Sequence, residues 1–175
     1  GDFGGGTSDF CLIRLGPGAR READRGRTIL AVDGVPLAGN AFDARFVRHA
    51  VSPALGLGSL RRSERGQALP IPSWLYSRLE RWEDMSILAT PATLETLRQL
   101  RREAFEPDRI DALMQLVQGD LGYLLYQEVE RAKLALSLSA RTHFAFDVPP
   151  STIARDIERQ ELEAWIAADL ERIRT

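Results

Sequence analysis

The sequence predicts an α+β fold, and three observations carry that prediction. Two short apolar runs near the start, residues 9–15 and 28–32, read as strands on either side of a Gly16-Pro17-Gly18 break. Between residues 73 and 139 apolar residues recur at helical spacing. Residues 142–148 then alternate, with Thr142, Phe144, Phe146 and Val148 against His143, Ala145 and Asp147, as a half-buried strand does.

Composition supports a folded chain and narrows its function. The 175 residues are 44% apolar and 27% charged, which excludes wholesale disorder. Lys+Arg 23 against Asp+Glu 25 gives a net charge of −2. Nucleic-acid binding through a strongly basic surface is therefore not expected. No apolar stretch reaches the about 18 residues of a membrane span. Cys11 alone excludes an internal disulfide or a cysteine zinc cluster, and His49 and His143 offer little for a histidine metal site. Gly1 in place of Met is expected of a chain processed or excised from something longer. Of the 23 basic residues all but Lys133 are Arg; the plain reading is a genome that favours Arg codons, and under that bias the surviving lysine points to a role arginine does not fill.

The elements follow in order. The strands at 9–15 and 28–32 form an antiparallel hairpin whose charged connection, residues 20–27, is a solvated turn. Gly39 opens a helix with Phe42, Phe46, Val47 and Ala50 on one face. Prolines and glycines make 51–72 the least regular stretch, and the run Arg61-Arg62-Ser63-Glu64-Arg65 reads as a solvated loop. From Ser73 a helix places Trp74, Leu75, Leu79 and Trp82 near one face. Thr90-Pro91 is a helix start, with an N-cap followed by proline at the first helical position. Pro107 ends that helix; Ile110, Leu113, Met114 and Val117 carry the next, which Gly119 caps. Leu121, Leu124, Leu125, Val129, Ala132 and Leu136 continue through a long helix to about Ser139. Pro149-Pro150 turns the strand at 142–148 into a second at 152–158, and a helix with Leu162, Trp165, Ile166 and Leu170 closes the chain.

Two segments suggest chemistry. In Asp2-Phe3-Gly4-Gly5-Gly6-Thr7-Ser8-Asp9 three glycines let the backbone approach a bulky anion and turn its N–H groups toward it. Thr7 adds a hydroxyl donor. Asp2 and Asp9 would repel a phosphate unless a cation or a positioned water lay between, which suits Mg²⁺-nucleotide chemistry. With no anion to order it, this loop is expected to be mobile. Further on, Glu130, Lys133 and Ser137 stand at i, i+3, i+7 on one polar helix stripe, opposite Val129, Ala132 and Leu136. The carboxylate suits ribose hydroxyls, the ammonium ribose or phosphates, and the serine a base edge. The plain alternative is a Glu–Lys surface pair.

The glycine loop resembles the second phosphate-binding loop of the actin-like ATPase superfamily, in particular that of the heat-shock-70 (DnaK-like) chaperones, with pattern Asp-x-Gly-Gly-Gly-Thr-x-Asp. Leu37-Ala38-Gly39-Asn40-Ala41-Phe42-Asp43 is similar to the family's Leu-Gly-Gly-Glu-Asp-Phe-Asp helix start. Glu130-Arg131-Ala132-Lys133-Leu134-Ala135-Leu136-Ser137 resembles its adenosine-contacting helix. The likeness spans nearly the whole chain, is weakest over 51–106, and is nearest to shorter, divergent bacterial members of the YegD type. Leu134 stands where the family has an adenine-stacking arginine, Ala38 replaces a glycine, and Asn40 replaces an acid.

The resemblance implies part of the second lobe of an actin-like (ribonuclease-H-like) nucleotide-binding domain. Residues 1–37 would be the hairpin part of the lobe base carrying the phosphate loop. Residues 38–158 would be a helical subdomain with a small antiparallel sheet, and 159–175 a helix returning toward the base. It implies ATP or ADP and Mg²⁺ as ligands. Asp2 and Thr7 would be catalytic, Gly4, Gly5, Gly6, Thr7, Glu130, Lys133 and Ser137 would bind nucleotide, and Asp2 and Asp9 would face the metal. The parent would be a cytoplasmic bacterial ATPase coupled to protein folding. Its partners would be an exchange factor or co-chaperone and the first lobe in cis, with no nucleic acid or membrane. The first phosphate loop and the later adenosine loop have no counterpart in the sequence, so this chain alone is expected to be inactive. The competing readings are a non-catalytic interaction module on the same fold and, less favoured, a sugar-kinase-type ATPase.

Overall fold

The structure, a computed structural model, describes residues 1–16, 28–149 and 151–174. The expected turns at 20–27 and Pro149-Pro150 fall wholly or partly outside them. The fold is α+β, with small antiparallel sheets. The chain forms two compact units, Gly1–Phe42 with Ala167–Thr175, and Asp43–Ile166. The division runs through helices α1 (Gly39–Phe46) and α7 (Arg159–Arg174).

The first unit holds a three-stranded antiparallel sheet in the order β1 (Asp2–Phe3), β2 (Ser8–Ile13), β3 (Ile29–Val35). The expected hairpin is β2–β3, with Ser8 opposite Val35 and Cys11 opposite Val32. β1 is an addition: two residues cannot display an alternation, yet Asp2 pairs with Asp9 and Phe3 with Ser8. Cross-strand neighbours share a face, so Phe3 and Phe10 meet edge to face at 5.6 Å. Ser8 is buried and donates to the Leu37 carbonyl at 2.7 Å. Phe3, Leu12 and Val32, in contrast, are exposed.

The second unit contains the apolar core. α4 (Pro91–Glu103), α5 (Pro107–Gln118) and α6 (Gly122–Leu138) follow the expected periodicities. Thr90 caps α4, its hydroxyl accepting from the Thr93 amide at 3.4 Å. Gly119 is the C-cap of α5, but the left-handed residue is the next, Asp120, at φ 51°. β6 (Arg141–Val148) and β7 (Ser151–Glu158) pair in register from Arg141–Glu158 to Val148–Ser151. Phe144, Phe146, Val148, Ile153 and Ile157 point inward, and α6 packs on β6.

Three expectations change here. Residues 51–72 contain a 3₁₀ turn, Ser52–Leu55, and a second hairpin, β4 (Leu60–Arg62) with β5 (Ala68–Pro70). The run at 61–65 is only partly solvated, since Arg61 pairs with Glu103 at 2.6 Å and Arg62 lies over the Phe105 ring. The helix after Ser73 is short: α2 (Trp74–Leu79) stops, and Trp82 opens a 3₁₀ turn before α3 (Met85–Leu88). Leu75, Tyr76 and Leu79 are its buried face, while Trp74 and Trp82 are exposed.

Candidate functional site

In the first unit, pairing of β1 with β2 turns residues 4–7 into a hairpin loop, closed by the Gly4 amide on the Thr7 carbonyl at 2.9 Å. The loop is held at its outer side. The Gly4 and Gly5 carbonyls accept from the amides of Gly39 and Asn40, at 3.2 and 2.7 Å, in the first turn of α1. These are helix-start N–H groups that have no partner within their own helix, so the loop carbonyls cap α1. The Gly4 and Gly5 carbonyls of the loop thus have partners in α1 without an anion. A Cβ on Gly5 would stand 3.0 Å from Asn40 Oδ1, which explains the smallest residue there.

Asp2 and Asp9, directly paired across β1 and β2, lie on one face of the sheet. Thr7 Oγ1 donates to Asp9 Oδ2 at 2.9 Å, so the hydroxyl expected to face an anion is engaged by a carboxylate. Gly34, opposite Asp9, leaves it room: a Cβ there would come within 2.6 Å of Asp9 Oδ1. Among the described residues no three His, Cys, Asp or Glu side chains converge as a metal cage. Asp2 and Asp9 offer two carboxylates, and a hard divalent cation bound there would draw its other oxygens from water or a phosphate.

In the second unit, α6 buries Val129, Ala132 and Leu136 and turns Glu130 and Ser137 outward, as the stripe predicts. Gln127, Glu130, Arg131, Lys133, Leu134 and Ser137, all on α6, border a shallow groove of about 590 Å³ that lies wide open along the helix. Ser137 Oγ donates to the Leu134 carbonyl one turn back at 2.7 Å, leaving its lone pairs as acceptors. Leu134 stands 63% exposed beside them, an apolar surface in the groove.

Lys133 departs from the surface-pair alternative. Its ammonium pairs not with Glu130 but with Asp43 on α1, and both side chains are largely buried. Burial pushes the Asp43 carboxyl above its ordinary value, the Lys133 ammonium pulls it back, and the Glu130 charge raises it again. Asp43 is the site residue that sequence reasoning missed. Its signal was the Phe42-Asp43 end of the helix-start motif, noted for its likeness but given no role.

The histidines stay apart from this chemistry. His143 Nδ1 meets Asp156 at 2.7 Å on the exposed face of the β6–β7 hairpin, and His49 stacks on the Trp165 ring at 5.3 Å. No model of a protein family matches the chain.

Proposed function

We propose that this chain is a second-lobe fragment of an actin-like, chaperone-type ATPase of the heat-shock-70 kind, and that its own part in the reaction is to bind nucleotide. The observation that carries the reading is the groove on α6. It is lined by Glu130, Lys133 and Ser137, the same residues the sequence stripe singles out. The tri-glycine hairpin between two facing aspartates supports it from the other unit.

In this reading Glu130 accepts from ribose hydroxyls, Lys133 donates to the sugar, and Ser137 meets the base edge. Leu134 gives the base an apolar contact in place of a stacked cation. Gly4, Gly5 and Gly6 let phosphate oxygens approach the backbone. Asp2 and Asp9 are like charges held opposite one another, a destabilising arrangement that a Mg²⁺ held by the two carboxylates would relieve. Mg²⁺ would supply charge neutralisation at the phosphates. Asp2 and Thr7 would orient the attacking water in the full-length parent, Thr7 giving up its bond to Asp9 to do so. Phe3, Leu12, Leu30 and Val32, exposed on the β1–β3 sheet, are apolar surface that a larger lobe would cover. The parent's partners in this reading are the first lobe, an exchange factor and a cytoplasmic client protein.

Calorimetric titration of the full chain with adenosine and with MgATP tests the reading. Binding of both is expected, weakened about tenfold or more by Glu130→Ala, the loss of one charge-assisted hydrogen bond. Thr7→Ala should weaken MgATP and leave adenosine unchanged. Phosphate release should stay at background, since phosphoryl transfer needs positioning from both sides of the phosphate. Adenosine binding that ignores Glu130 would favour the non-catalytic interaction module instead.

A further inference from the structure

We propose that Asp43 is a positioning residue for nucleoside binding: its carboxylate on α1 holds the Lys133 ammonium at the wall of the α6 groove. This rests on the nucleotide reading given above and assigns a role to a residue outside the groove itself.

The argument begins with freedom. A lysine has four rotatable side-chain bonds, and ordering them for a ligand is costly unless something has already ordered them. Here the ammonium is seated on Asp43, and the Lys133 side chain is only 21% exposed. Lys133 nevertheless lines the groove, one helical turn after Glu130 and one turn before Ser137. An ammonium carries three donors. With one on Asp43, the others remain for a ligand lying between Glu130 and Ser137.

The pair also sets the chemistry offered. Asp43 offsets the positive charge of Lys133, and Glu130 adds a negative one nearby. With Arg131 paired to Glu128 as well, the groove is rich in donors and acceptors without being an anion trap, which favours a neutral hydroxylated ligand such as a nucleoside over a free phosphate. It accounts for the lone lysine too. The ammonium is a compact point charge with rotatable donors, whereas a guanidinium is a planar fork that would pair with Asp43 side-on and direct its donors elsewhere.

The test uses the full chain, adenosine as probe, and an amine-reactive ester that reads Lys133 alone among side chains, because the sequence has no other lysine. Asp43→Asn, close in shape to the native residue, is expected to speed ester labelling of Lys133 severalfold and to weaken adenosine about tenfold. Asp43→Glu should recover part of both. In a Lys133→Ala background, Asp43→Asn should weaken adenosine no further, because the two residues act as one unit. Lys133→Arg should bind adenosine as poorly as Lys133→Ala. Unchanged labelling in Asp43→Asn would overturn the holding contact whether or not adenosine binds. Faster labelling with unchanged adenosine affinity would overturn the positioning role and leave the nucleotide reading standing. A wild-type chain that binds no adenosine would overturn the nucleotide reading and the positioning role together, even if labelling responds. A variant that lowers the melting temperature without changing labelling or affinity would reduce the pair to packing.

Discussion

Lys133 could be placed on a polar helix face by counting along the chain, but its partner could not. Asp43 lies in a different helix, and only the tertiary fold brings the two charges together. The difference matters for stability. An exposed i, i+3 pair is worth about 0.2–0.5 kcal/mol, whereas truncating one partner of a largely buried pair leaves the other charge unmet. Lys133→Ala is therefore expected to cost about 1–3 kcal/mol near neutral pH. The pH dependence has a definite sign. Burial raises the Asp43 carboxyl above its ordinary value, and Lys133 is what lowers it. A carboxyl with a raised folded pKa stabilises the fold while protonated, and that contribution is lost as pH rises through the folded value. Without Lys133 the rise is larger and the loss greater. The melting-temperature gap between wild type and Lys133→Ala should thus be widest near pH 7 and close toward about pH 4. A gap that stays constant across that range would mean that Asp43 does not titrate against Lys133. Thr7 was similarly half legible: its hydroxyl was evident, but its bond to Asp9 depends on a two-residue strand that local pattern does not reveal.

At the scale of elements, legibility followed length. α4, α5, α6, β6 and β7 each run for eight residues or more, long enough to display a period, and all stand where the sequence placed them. The cap at Thr90 was readable because capping is a local contact. β1, β4 and β5 have two or three residues each and owe their existence to their partners. The supposed face of Trp74, Leu75, Leu79 and Trp82 failed because α2 ends at Leu79, and a residue beyond the break does not continue the helical angle. The 3₁₀ turn at Ser52–Leu55 shows how an irregular stretch is fixed. It ends on Gly56 at φ 102°, and the fully buried Tyr76 donates its hydroxyl to the Leu55 carbonyl at 3.0 Å. A Cβ on Gly56 would meet Tyr76 Oη at 2.9 Å and Ile110 Cδ1 at 3.0 Å. Gly56→Ala combines backbone strain with a clash in the core, so it should cost about 1–3 kcal/mol or more in denaturant unfolding. Gly58, at φ 83° with open space around it, is the control: Gly58→Ala carries the strain without the clash and should cost less. Equal losses would show that the contact with Tyr76 adds nothing.

At the scale of the molecule, the two units differ in what can hold them shut. Every buried member of the hydrophobic core lies between Phe46 and Ile157, in the second unit. In the first, the buried residues among those described are Ser8, Leu37, Ala38 and Asp169, while Phe3, Leu12, Leu30 and Val32 face solvent. Apolar burial is the main favourable term in folding, at about 25 cal/mol for each Å² removed from water, and β1–β3 gain little of it. Their ladder hydrogen bonds add only about 0.5–1.5 kcal/mol each, net of water. Regions with few buried contacts open locally well below the free energy of global unfolding. Native-state hydrogen exchange should therefore find β2 and β3 amides opening at a lower free energy than those of α6 around Val129 and Ala132. Within the first unit the last amides to open should be those beside Ser8, whose hydroxyl is bonded in a buried position to Leu37. Denaturant dependence provides the check: openings in β2 and β3 should expose little surface and show a small slope, and those in α6 the full slope of unfolding. Equal free energies and equal slopes for both sets would mean that the sheet and the core open as one cooperative body, and that the scarcity of buried apolar surface around β1–β3 does not set its stability.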